Sequence, residues 1–73
     1  MKVDENVFEK FKETEKHVIY LEKKRKLNAE IDIVVYDKIT NCWMKSLLTD
    51  ELFKYFFKPE EYRRVYKCRQ RQR

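Results

Sequence analysis

Ile31-Asp32-Ile33-Val34-Val35-Tyr36 is the stretch on which the fold turns. Ile31, Ile33 and Val35 alternate with Asp32, Val34 and Tyr36. That is the period of two a strand requires, and the stretch is rich in β-branched residues. The reading is a strand over residues 29–36 in a small α+β domain. An all-α fold is the alternative, and it would have to bury Ile31 to Val35 as helix against their composition.

Toward the C-terminus, Asp37-Lys38 begins a turn. The chain has no glycine, and the favoured two-residue hairpin turns are strained without it, so a longer loop is expected. Residues 39–45 return as a second strand carrying Cys42, Trp43 and Met44. Thr49 is placed to cap a helix, with Asp50 and Glu51 loading its positive end. Leu52, Phe53, Phe56 and Phe57 then share one broad face. Lys58 precedes Pro59 and so avoids the helical region. Pro59 suits the first position of a second helix over 59–69. Glu60 and Glu61 fall in its first turn, and Tyr62, Val65 and Tyr66 lie along one side.

Toward the N-terminus, His17 to Glu22 fits either a helix extension or a short buried strand, because short apolar runs do not separate the two. Residues 4–16 read as a helix. Val7, Phe8, Phe11, Val18 and Leu21 fall in one sector of a helical wheel, and Asp4 and Glu5 stand at its start. The expected architecture is therefore an N-terminal helix, a short antiparallel sheet of two or three strands, and two C-terminal helices. A single domain over residues 1–68 is expected, with 69–73 as a basic tail that frays.

Composition sets limits on function. The chain has 73 residues, of which 20 are Val, Ile, Leu or Phe. That is enough for a core, but a core of this size supplies only about 3–5 kcal/mol, so a homodimer or a protein partner is a natural supplement. Cys42 and Cys68 lie outside any C-x-x-C pattern, and His17 is the only histidine. Three candidate ligands do not make a four-ligand zinc site. The cysteines read as reduced thiols, or as one disulfide. No apolar run reaches the roughly 18 residues a membrane span needs, and MKVDENVFEK has no apolar secretory core. A cytoplasmic protein is expected.

Catalysis finds little support. His17 stands alone. Glu60 and Glu61 are adjacent, so a helix points them apart and they make a poor acid–base pair. A phosphate cradle needs glycine. The expectation is no enzymatic activity, no cofactor, no metal and no small-molecule substrate.

Charge carries the functional signal. Residues 1–40 hold nine cations and nine anions, whereas residues 41–73 hold nine cations and four anions. From Tyr62 to the end, Arg63, Arg64, Lys67, Arg69, Arg71 and Arg73 occur with no acid. Five of these six are Arg, whose planar fork matches phosphate. On a helix, Arg63, Lys67 and Arg71 would form one stripe able to follow phosphates. Tyr62 and Tyr66 would be available for stacking on bases. Lys23, Lys24, Arg25 and Lys26 offer a second contact. No zinc-finger, RNP or helix-turn-helix pattern is present, so binding to nucleic acid should be largely sequence-tolerant. The alternative is a modulator that docks on a partner protein through an aromatic patch of Trp43, Leu52, Phe53, Phe56 and Phe57. The composition is compatible with a small viral regulatory protein.

Overall fold

A computed structural model describes residues 3–25 and 30–66. Four strands follow one another: β1 (Phe8–Glu13), β2 (His17–Glu22), β3 (Asp32–Asp37) and β4 (Cys42–Leu47). They form one sheet in the order β1-β2-β3-β4, every neighbour antiparallel. Helix α1 (Asp50–Phe56), a 3-10 turn (Pro59–Glu61) and helix α2 (Tyr62–Tyr66) complete the described chain. The protein is a small α+β domain with its helices at the C-terminal end.

This corrects the expected architecture in two respects. The N-terminal helix does not form, since strand β1 occupies residues 8–13, and the sheet has four strands rather than two or three. It also removes the all-α alternative. The helical pattern of residues 4–16 had a specific origin. The β1–β2 register shifts between Lys10 and Lys12, which leaves Phe11 as the extra residue of a bulge. The inward positions of β1 are Glu9, opposite Leu21, and Lys12, opposite Ile19. Both are charged, so the strand shows no apolar alternation. Phe8 and Phe11, three apart, imitate a helical pair, although Phe8 belongs to the row of Glu22 and Phe11 packs on the helical side.

The core lies between the sheet and the helices. It comprises Ile19, Leu21, Ile31, Ile33, Val35, Phe57 and Val65, with Phe11, Leu48, Leu52, Phe53, Phe56 and Tyr66 packed around it. The expected alternation in β3 is observed, with Ile31, Ile33 and Val35 all buried toward the helices. Residues 17–22, ambiguous by period, are strand, because Ile19 and Leu21 fill this layer from β2.

The loop between β3 and β4 uses the longer route that the lack of glycine suggested. Asn41 takes the left-handed conformation at φ 59°, which asparagine tolerates better than most residues. The Asp37 carboxylate accepts from the main-chain N–H groups of Ile39 and Thr40 at 2.9 and 3.2 Å. Strand β4 therefore begins at Cys42 rather than at residue 39, and Ile39 is exposed in the loop.

The caps follow the local chemistry. Thr49 Oγ1 accepts from the Leu52 N–H at 3.1 Å. The Lys58 N–H donates to Glu61 Oε1 at 2.8 Å, and Pro59 opens the turn. Of the second helix expected over 59–69, residues 67–69 lie outside the described residues. It begins as 3-10, and α2 covers Tyr62 to Tyr66.

Candidate functional site

The sheet presents two unlike faces. One carries the helices. On the other, the register places three rows of side chains across the strands. Lys10, Tyr20, Val34 and Lys45 form the middle row. Glu13, Val18, Tyr36 and Trp43 lie on one side of it, and Phe8, Glu22, Asp32 and Leu47 on the other.

The basic C-terminal end belongs to the helical side. Arg63 and Arg64 are exposed on α2. The Arg64 guanidinium carbon stands 4.8 Å from the Phe11 ring centre, a cation–π distance. Lys67, Arg69, Arg71 and Arg73 lie outside the described residues, as do Lys26, Cys68 and the expected frayed tail. The stripe of Arg63, Lys67 and Arg71 is thus described only at its first member.

Tyr62 and Tyr66 close the aromatic layer over α1. Their ring centres are 4.7 Å apart, and each is 5.8 Å from Phe53. Tyr66 is half-buried, and that burial, followed by the charge of Asp50 and the Tyr62 phenol, pushes its phenol above the ordinary value. Tyr62 keeps half its surface exposed.

The basic run at 23–26 divides. Lys23 and Lys24 are exposed, but Arg25 is buried at 8% exposure. Its guanidinium donates to Glu9 Oε2 at 3.1 Å, to the Glu22 carbonyl at 2.6 Å and to the Arg64 carbonyl at 3.2 Å. Arg25 therefore ties β1 and β2 to α2, and is not presented to solvent as a contact.

The aromatic patch proposed for a protein partner is not one surface. Phe57 is core, 5% exposed, with its ring 5.3 Å from Phe53 and 5.4 Å from Phe11. Leu52, Phe53 and Phe56 are half-buried on the helical side. Trp43 pairs with Tyr36 in the register and lies on the opposite face. Its ring centre is 4.7 Å from Tyr36 and 6.0 Å from Tyr20.

That second cluster was missed by sequence reasoning. Tyr20, Tyr36, Phe8, Lys10 and Lys45 were not singled out, though one signal was available. β2 and β3 carry large apolar residues at both parities (Val18, Tyr20, Val34 and Tyr36 as well as Ile19, Leu21, Ile33 and Val35), so both faces had to be covered or used.

Two carboxyl groups differ in character. Glu61 is held below the ordinary carboxylate range. Burial alone would raise it, but the Lys58 N–H and the Lys12 ammonium, 3.1 Å away, outweigh burial. Glu22 is pushed up, first by burial and then by the neighbouring Asp32 carboxyl. Among the described residues no group of three or more His, Cys, Asp or Glu is arranged to hold a metal ion. Cys42 is an exposed free thiol on β4. No helix among the described residues is long and apolar enough to cross a membrane. Comparison with protein-family models, with curated proteins and with solved structures gives no match.

Proposed function

We propose that the protein is a non-enzymatic regulator that binds nucleic acid through its basic C-terminal end, with little dependence on base sequence. The observation that supports this reading best is the exposure of Arg63 and Arg64 at the head of a segment with six cations and no acid. Arg63 and Arg64 project in different directions from α2, so each guanidinium would fork onto a separate phosphate. The following cations extend the contact and release counterions as each phosphate is neutralised. Lys23 and Lys24 add positive charge at the end of β2. We place the protein in the cytoplasm, where an exposed thiol such as Cys42 stays reduced.

A titration by fluorescence anisotropy across salt concentrations tests this. On duplex DNA, the logarithm of affinity should fall with the logarithm of salt at about 0.9 per phosphate contact, with an apparent count of about four to six. Replacing Arg63 and Arg64 together with Ala should lower the slope by about two contacts and leave the far-UV circular dichroism unchanged. No binding at low salt would overturn the reading.

A further inference from the structure

Resting on the nucleic-acid reading above, we propose that the sheet face turned away from the helices takes single-stranded nucleic acid, its bases stacking on Trp43, Tyr20 and Tyr36. The three rings form one contiguous group, with Trp43 in the middle at 4.7 and 6.0 Å from its neighbours. All three are half-buried and so keep ring surface open to solvent. The floor beneath them is closed: Val34 is 1% exposed and Phe8 7%. Around this floor the face presents the three rings, Lys10 and Lys45, with Leu47 exposed at one margin and Glu13, Glu22 and Asp32 as its acids. A base has the flat face that such rings bind, whatever its identity.

The patch continues into an open concavity of about 430 Å³ lined by Glu5, Phe8, Glu9, Lys10, Tyr20 and Lys23. Tyr20 belongs to both. The volume falls in the range of about 300–1,000 Å³ typical of sites that hold small ligands. Of its two acids, Glu9 is already held by Arg25.

The cations gather on one side of the rings, where they can line the phosphates of a strand whose bases point inward. Lys10 and Lys23 line the concavity on the β1 side, and the Lys45 ammonium reaches across from β4 to stand 5.7 Å from the Phe8 ring centre. Lys10 pairs with Glu13 at 3.1 Å, but both are well exposed, and exposed pairs are weak enough to exchange for phosphate. Glu22 and Asp32 sit together beside Leu47, on the other side of the middle row from Trp43. The path that avoids these two runs from the concavity across Tyr20 to Trp43; Glu13, at the β1 end of the Trp43 row, is paired with Lys10 and Lys38. A duplex hides the faces of its bases and cannot use this surface.

Trp43 is the only tryptophan, so its emission reports directly on the patch. The full chain is titrated with oligo(dT) and with a duplex of matched length, following both anisotropy of the labelled nucleic acid and Trp43 emission. Single strands should bind and quench Trp43, whereas duplex bound through the basic end should not. Trp43→Ala should weaken single-strand binding by about ten- to a hundredfold and leave duplex binding unchanged. Trp43→Phe keeps a ring and should retain most of the affinity, with unchanged circular dichroism. Single-strand binding with no change in Trp43 emission and no effect of Trp43→Ala would overturn the stacking surface while the nucleic-acid reading stands. Equal quenching by duplex would overturn base stacking. Absence of any anisotropy change with either nucleic acid would overturn both.

Discussion

The Arg25 guanidinium donates to the main-chain carbonyl of Arg64 at 3.2 Å, across 39 residues of chain. The two arginines belong to the two basic segments of the sequence, yet one serves to seat the other. Arg25 also holds Glu9 and the Glu22 carbonyl, so a single planar group joins β1, the end of β2 and α2. A cation at the carbonyl end of a short helix is favourable in addition. The seating of α2, which carries Arg63 and Arg64, thus depends on a buried residue from the other basic segment.

Arg25→Ala leaves the Glu9 carboxylate and two carbonyls without this donor. The expected loss is about 1.5–3 kcal/mol, which for a domain of this size lowers Tm by about 6–24 °C. Arg25→Lys keeps the charge but loses the fork and should fall between the two. Thermal unfolding followed by circular dichroism checks this, and an Arg25→Ala variant melting like the parent would show that α2 is seated by other contacts.

Phe57→Ala should unfold the protein. The ring is buried between Phe11 and Phe53, and truncating a core Phe costs about 3–5 kcal/mol. That equals what a core of this size supplies in total. Trp43→Ala, on the open face, should leave the circular dichroism spectrum native. Urea melts of the two variants side by side separate core from surface.

Glu61→Gln should alter the acid limb of stability. Lys12 bridges Glu61 Oε1 and the Phe56 carbonyl at 3.1 and 3.2 Å, joining β1 to the helical layer. Because Glu61 is held below its ordinary value of 4.5, the folded protein binds that proton less readily than the unfolded chain. Its contribution is full above about pH 4.5 and is lost as pH falls through the depressed folded value. The parent should exceed Glu61→Gln by about 0.5–1.5 kcal/mol at pH 7, and the gap should close in acid. A gap independent of pH would mean the ion pair contributes nothing.

Glu22→Gln should act with the opposite sign. Glu22 stands one register step beyond the Leu21–Ile33 pair and so opposite Asp32; burial first, and then the Asp32 carboxyl, raise it above 4.5. The folded state favours the protonated form, so stability falls as pH rises from 4.5 through the raised folded value. Above that the full cost is present. The variant should be more stable than the parent at pH 7 by about 0.2–1 kcal/mol, the scale of a like-charge cross-strand pair, and equal to it at pH 3. Paired thermal melts at the two pH values decide it.

Residues that answer to their immediate neighbours were legible. Alternation of Ile31, Ile33 and Val35 identified β3. Thr49 and Pro59 marked two helical starts, because a cap or a ring-fixed φ acts within one turn of the chain. The lack of glycine indicated a long β3–β4 loop, which Asn41 completes. The exposed pair Arg63 and Arg64 could be singled out from local charge alone.

Strand β1 could not be read in this way. Its inward positions, Glu9 and Lys12, are charged, and the groups that hold them there, Arg25 for Glu9 and Glu61 with the Phe56 carbonyl for Lys12, reach them from elsewhere in the chain. The same holds for the open face. Tyr20, Tyr36 and Trp43 come from three strands, and only antiparallel pairing brings them within ring contact. The sequence by itself determined β3, the caps and the basic end, since each depends on period, capping or charge over a few residues. Tertiary structure alone decided the fourth strand, the burial of Arg25 and the two-sided character of the sheet. Those depend on partners that pairing and packing, rather than proximity along the chain, bring together.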